Sequence, residues 1–117
     1  MKRLSHTLGA LTLALGTLAL SATSAAAQDA DGKALYDASC KKCHGALGVP
    51  PKAMKTKFPK LAAFDAAFIA KNSRDDIVKA LTKGTSADMK SFKDKLSAAE
   101  MAAVASHVHE LGGGKEK

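Results

Sequence analysis

The stretch Cys40-Lys41-Lys42-Cys43-His44 decides how this chain folds and what it can bind. It holds the only two cysteines of the 117-residue sequence, and a histidine follows the second one directly. Residues three and four positions apart lie on one side of a helical turn. Both sulfurs and the imidazole are therefore expected to face the same way.

The pattern C-x-x-C-H predicts covalent attachment of one c-type haem. The two thiols can add to the two vinyl groups of the porphyrin, while the nitrogen of His44 reaches the iron from the same face. A bare C-x-x-C also occurs in thioredoxin-like redox pairs, zinc sites and local disulfides. A zinc site would need two more ligands, but His107 and His109 stand two apart on one helix and cannot both face one metal. A thioredoxin-like domain needs a sheet, and no segment alternates like a strand.

Residues 1–27 have the pattern of a secretory signal peptide that is cleaved. Lys2 and Arg3 form a charged start, Leu8 to Leu20 an apolar stretch, and Ala25-Ala26-Ala27 the cleavage site. A retained membrane anchor is the weaker alternative, because the apolar run ends in Ser and Ala rather than in a basic flank. We therefore expect a periplasmic or otherwise exported protein.

Residues 28–117 suffice for one domain with a small core. They include one Tyr, four Phe and no Trp, so this Ala-rich core has few large aromatic side chains. A buried flat cofactor would fill the space that such side chains usually occupy. Lys or Asp interrupts every later apolar segment, so no anchor is expected after cleavage. Without Lys2 and Arg3, 16 basic residues stand against 11 acids, a formal charge of +5. This charge favours an acidic protein partner, whereas the single remaining Arg disfavours nucleic acid.

The chain is predicted to be all-α, with a first helix from Asp31 to about Cys43. Asp29 or Asp31 is expected to cap it. Its inner side is predicted to be Ala34, Leu35 and Ala38. A loop is predicted from Gly45 to about Pro59, because this segment is rich in Gly, Pro and Lys.

Two capping boxes predict the later helices. Ser73-Arg74-Asp75-Asp76 opens one helix, with Asp in place of the usual Glu, and Gly84 closes it. Ser97-Ala98-Ala99-Glu100 opens the last helix, which ends at three glycines. The apolar face of this last helix is predicted to be Met101, Val104, Ala105, Val108 and Leu111. A short helix is expected from Phe64 to Lys71, and residues 85–95 are expected to be a loop.

These parts follow one another as in the class I cytochromes c, and residues 28–117 resemble a single domain of that family almost throughout. The resembling segments are Asp31 to Tyr36 for the opening helix, Cys40 to Gly45 for the attachment site, Pro59-Lys60-Leu61 for the loop below the haem, Ile77 to Gly84 for the third helix, and Met89 to Ser97 for the methionine loop. The resemblance implies a small fold of three to five helices around one haem c, bound through Cys40 and Cys43.

The resemblance also implies the iron ligands, His44 and Met89. A thioether opposite an imidazole raises the reduction potential relative to harder ligands. Met54, in the Lys-rich loop, is the competing sixth ligand, whereas Met101 is expected to face the core. A loop proline of the family supports the proximal histidine through its carbonyl. Pro59 matches that position best, and the alternatives are Pro50 and Pro51.

One position departs from the family pattern. The last helix commonly carries an aromatic residue that packs against the first helix, and here His107 stands in its place. Tyr36 on the first helix suggests that the contact survives in altered form. We expect His107 to be structural rather than an iron ligand, and His109 to be exposed.

Lysines crowd the segments that are expected to border the haem. They are Lys41, Lys42, Lys52, Lys55, Lys57 and Lys60 on one side, and Lys90, Lys93 and Lys95 near Met89. Such a ring speeds the encounter with acidic redox partners and is screened by salt. The alternative is a solvated surface that only keeps the protein soluble.

The main hypothesis is a monomeric one-electron carrier, not an enzyme, because a closed His/Met site binds no substrate at the iron. The alternative is a haem enzyme, or a gas- or peroxide-binding haem protein, with an open sixth position. Such a site would need polar groups on the distal face of the haem, where the ligand binds. Near Met89 the sequence offers only Ser86, Asp88, Lys90 and Ser91. A third hypothesis is a metal-free thiol oxidoreductase at Cys40 and Cys43.

Overall fold

The computed structural model of the protein describes residues 30–114, and within them every regular element is a helix. The expected signal peptide, residues 1–27, lies outside this range. The helices are α1 (Gly32–Ser39), α2 (Lys41–His44), α3 (Lys52–Lys57), α4 (Ala66–Lys71), α5 (Arg74–Lys83) and α6 (Ala98–Leu111). No helix of this part of the chain is long and apolar enough to span a bilayer. The all-α prediction is confirmed.

The helix ends largely follow the polar signals of the sequence. The Asp31 side chain caps α1 by accepting a hydrogen bond from the backbone of Ala34 at 3.0 Å. The helix breaks at Cys40, so α2 is a separate turn, and the described residues hold six helices rather than three to five. In the box that opens α6, Ser97 and Glu100 each bond to the other's backbone N–H. The box that opens α5 is equally complete.

Three local expectations are wrong. Helix α3 lies inside the predicted loop, because Pro51 directly precedes it and the segment KAMKTK contains no breaker. Helix α4 begins two residues later than expected, because Asp65 takes the cap position and accepts a bond from the Phe68 amide at 2.9 Å. On α1, Ala34 and Ala38 are exposed, and the buried face is centred on Tyr36 instead.

Helices α1 and α6 make the most extensive contact between helices, and they cross almost backbone to backbone. A Cβ on Gly32 would lie 2.0 Å from the carbonyl oxygen of Ala103, so only glycine fits there. Tyr36 is fully buried beside the crossing, and its ring meets His107 edge to face at 5.1 Å. The expected contact between Tyr36 and His107 is therefore confirmed. This crossing supports α2, which follows α1 directly.

Candidate functional site

A cavity of about 740 Å³ opens beside α2. Four parts of the chain line it: the end of α2, residues 57–62, the segment that provides Phe64, Phe68 and Asn72, and α5 with the loop that follows it. Most of its surface is apolar, with side chains such as Leu61, Ile77 and Leu81. A concave, mostly apolar site with few polar groups is typical of cofactor binding.

His44 lines this cavity at the C-terminal end of α2. Its ring stacks on Phe64, with 4.7 Å between ring centroids and 18° between planes. The Tyr36 hydroxyl donates a 2.7 Å hydrogen bond to the carbonyl of Gly45, the next residue along the chain. Burial lowers the pKa of His44, which favours the neutral imidazole that binds metals. α1 and Phe64 thus hold a neutral imidazole at the cavity wall.

The Nδ1 atom of His44 is buried and has no hydrogen-bond partner in the described part of the chain. The bond expected from His44 to Pro59 is therefore not observed. The Pro59 carbonyl instead accepts a bond from the Nζ of Lys55 at 3.2 Å, and the same Nζ donates to the Leu61 carbonyl at 2.7 Å. Lys55, on the unpredicted helix α3, thus holds the segment that forms one cavity wall.

The two cysteines have different surroundings. Cys43 is exposed and lines the cavity, whereas Cys40 is buried with the core residues and is not among the residues that line the cavity. Burial, with a smaller effect of Cys43, raises the pKa of Cys40 to about 11. Thiol oxidoreductases need a cysteine whose pKa is lowered. Cys40 is therefore not suited to be the attacking thiolate of such an enzyme.

Met89 is half-buried and lines the cavity from the loop after α5. The competing Met54 lies on α3, and Met101 is buried in the core as expected. Among the described residues, neither of these two methionines lines the cavity. The structure thus brings His44 and Met89, but not Met54, to one cavity.

The two histidines of α6 lie elsewhere. His107 packs on Tyr36 and its Nδ1 is 3.9 Å from a carboxylate oxygen of Glu110, in agreement with a structural role. The expectation that His109 is exposed is wrong, because it is half-buried and its Nδ1 is covered where the chain turns at Gly114. Neither histidine lines the cavity in the part of the chain that the structure describes.

Two polar residues that were not predicted to belong to the site, Asn72 and Asp76, also line the cavity. The Asn72 side chain donates to the Phe68 carbonyl at 2.9 Å, and the Asp76 carboxylate belongs to the capping box with Ser73. The capping box identifies Asp76 as a helix-cap residue but not as a cavity residue. Both polar groups are engaged in holding helix ends.

Comparisons with known proteins identify the family. The model of the family described as "Cytochrome C oxidase, cbb3-type, subunit III" matches residues 27–108. The chain belongs to this cytochrome c family. Membership of this family implies a covalently attached haem c, and the resemblance seen in the sequence is confirmed.

Two relatives of this cytochrome illustrate the range of the family. The cbb3-type cytochrome c oxidase subunit CcoP of Azospirillum brasilense is 33% identical over 95 residues, which are 80% of this chain but 31% of that protein. The chain thus spans about a third of the length of this curated relative. The solved KustC0563 c-type cytochrome is 34% identical, with a TM-score of 0.60 over 74% of this chain and 99% of that one.

The cavity of this cytochrome fits a haem. Its apolar walls suit the porphyrin, and the imidazole of His44 is held at one of them by its stacking on Phe64. Cys43 and His44 stand at one wall, and Met89 brings a thioether to the same space. Imidazole and thioether are both ligands of haem iron.

Proposed function

We propose that this cytochrome is a one-electron carrier in which Cys40 and Cys43 would hold one haem c and His44 and Met89 would bind its iron. The observation that carries this proposal is that a single apolar cavity is lined by both His44 and Met89. When bound, the haem would supply the iron that cycles between the ferrous and ferric states. With two cysteines in the chain, one haem is the number that can be attached.

The residues around the cavity suit a carrier better than an enzyme. Asn72 and Asp76, which could otherwise act on a bound substrate, are committed to the hydrogen bonds that hold α4 and α5. Ser86 accepts two hydrogen bonds from the backbone of its own loop, at 3.1 Å and 3.3 Å. The chain's own task is thus to hold both ligands in place, exclude water and set the potential.

The partners of the carrier are proposed to be redox proteins with acidic docking surfaces. From residue 41 to residue 64 the chain has six lysines and no acid, and all six are exposed. Lys57 and Lys60 also line the cavity. Charge at this position would steer an acidic partner toward the haem, and the resulting rate would fall with ionic strength.

Export is the remaining part of the proposal. We infer that residues 1–27 are removed as a signal peptide, and that residues 28–117 work as a monomer outside the cytoplasm. The pattern of basic start, apolar stretch and Ala-Ala-Ala supports this inference. Mass spectrometry of the protein recovered from a periplasmic extract tests it, because cleavage predicts a chain that starts at Gln28.

The ligands are tested by expressing the full chain with a haem-attachment system and recording visible spectra. Colour that survives denaturation and acetone extraction shows covalent haem. The oxidised protein is expected to have a thioether-to-iron charge-transfer band that is lost in Met89→Ala. Met54→Ala is the matched control and should keep the band, because Met54 lies outside the cavity.

Other spectra would refute the proposal. A high-spin native protein that is unaffected by Met89→Ala would have an open sixth position and would be a ligand-binding haem protein or peroxidase. A band lost in Met54→Ala instead would move the sixth ligand to α3. A colourless product would exclude haem and favour the thiol hypothesis.

Docking is tested by the electron-transfer rate with an acidic redox protein at several ionic strengths. Lys57→Glu is expected to lower the rate and flatten its dependence on salt. Lys71→Glu makes the same charge change at an exposed residue that does not line the cavity, and it should have the smaller effect. Equal effects of both variants would mean that net charge alone, and not a docking surface, sets the rate.

A further inference from the structure

The loop that carries Met89 closes on itself through the hydroxyl of Ser86 and through backbone hydrogen bonds. The Ser86 Oγ accepts hydrogen bonds from the backbone N–H groups of Met89 at 3.1 Å and Asp88 at 3.3 Å. In return, the Met89 carbonyl accepts bonds from the backbone of Thr85 at 2.9 Å and Ser86 at 3.4 Å. Both backbone polar groups of Met89 are therefore bonded within the loop, and this fixes the point from which its side chain starts.

The far end of the loop is anchored separately. The Phe92 amide donates to the Leu81 carbonyl at 2.7 Å, and the Ser91 hydroxyl donates to the Thr82 carbonyl at 2.6 Å. These bonds satisfy carbonyls at the C-terminal end of α5 that have no partner within the helix. These anchors hold the far end of the loop to α5, and neither bond uses the backbone N–H or carbonyl of Met89.

Among the side chains of the described residues, Ser86 is the one with a hydrogen bond to the Met89 backbone. We propose that Ser86 is a positioning residue for the sixth iron ligand, and that it sets how readily Met89 gives up its place to a competing ligand. The inference rests on the proposed His/Met ligation. Because Ser86 is exposed, its hydrogen bonds can form or open without unfolding the core.

The experiment titrates the oxidised holoprotein with imidazole and follows the loss of the thioether-to-iron band. Ser86→Ala removes the acceptor of two hydrogen bonds, so the apparent affinity for imidazole is expected to rise about tenfold. Ser86→Thr keeps the hydroxyl and should stay close to the wild type. In both variants, the haem should remain covalently attached.

Ser97→Ala is the matched control, because it deletes the same kind of hydrogen bond, from serine Oγ to the Glu100 amide at 3.1 Å. Loss of this cap should lower the stability to denaturant but leave the imidazole affinity unchanged. If Ser97→Ala raises that affinity as much as Ser86→Ala does, general destabilisation explains the effect and the positioning role is refuted.

Two further outcomes separate this inference from the proposed function. A wild-type band together with an unchanged imidazole affinity in Ser86→Ala would refute the role of Ser86 and leave the His/Met ligation standing. A wild-type protein without the band would refute the ligation itself, and the role of Ser86 with it.

Discussion

Gly84 is the residue at which the Met89 loop is most sensitive to a single methyl group. Its φ is +74° and its ψ is 164°, a region of backbone space that is almost restricted to glycine. A Cβ would also lie 2.7 Å from the Ser91 nitrogen and 2.9 Å from both the Met89 oxygen and the Lys90 carbonyl carbon. Gly84→Ala therefore meets both backbone strain and a steric clash with the loop.

The two costs can be estimated separately. The unfavourable φ and ψ cost about 1–3 kcal/mol, and displacing well-packed backbone costs about 1–3 kcal/mol more. Gly84→Ala is thus expected to lower the free energy of unfolding by about 2–6 kcal/mol. Gly113 offers a control with φ +83° and no atom within 4 Å of an added Cβ. Gly113→Ala should cost only about 1–2 kcal/mol for its backbone strain.

The assay is denaturant unfolding of the holoprotein, with linear extrapolation to water. The thioether-to-iron band is recorded on the same samples, because the clash at Gly84 pushes on the carbonyl of Met89. Gly84→Ala should lose stability and weaken the band, and Gly113→Ala should leave the band intact. Equal losses of stability, with the band unchanged in both variants, would show that the loop is not held against Gly84.

Three other predictions concern a buried hydrogen bond, a core side chain and a helix cap. Tyr36→Phe deletes the buried bond to Gly45 and should cost about 1 kcal/mol in denaturant unfolding; an unchanged midpoint would contradict this role. Val104→Ala, at a side chain 1% exposed, should cost about 2 kcal/mol, and a loss under half of that would indicate that the core relaxes to fill the space. Hydrogen bonds from Ser73 lower the pKa of Asp76 below 3.8, so its contribution to stability is complete above pH 3.8 and is lost as the pH falls through the lowered pKa. Acid titrations of stability should therefore be less steep for Asp76→Asn than for the wild type in that range.

The sequence predicts the helix boundaries correctly where local chemistry decides them. The boxes at Ser73 and Ser97 predict the starts of α5 and α6, because each needs only residues three positions apart. Helix α3 is not predicted, because the prolines before it favour a loop, whereas Pro51 is the N-cap residue of a helix that begins at Lys52. The exposed Ala34 shows a related limit, since the buried face of α1 depends on where α6 crosses it.

The site, like the fold, could be predicted from the sequence only in part. The spacing of the C-x-x-C-H stretch predicts haem attachment, but the tertiary bonds around it are not encoded in any local pattern. In the sequence, nothing distinguishes Lys55 from the other lysines, and only the fold shows that it donates hydrogen bonds to the carbonyls of Pro59 and Leu61. Likewise, nothing in the sequence distinguishes Ser86 from other loop residues, and only the structure shows its hydrogen bond with the Met89 backbone.

The contact of Gly32 with the backbone of Ala103 joins segments from opposite ends of the described chain. Contacts between residues so far apart in sequence form slowly, because a long loop must close first. The C-x-x-C-H stretch is local and is made long before α6. A chain in which α6 has not yet docked therefore presents both thiols in an open state, and docking of the last helix completes the core that buries Cys40. The order in which the chain emerges thus leaves an interval in which haem can be attached before the domain becomes compact.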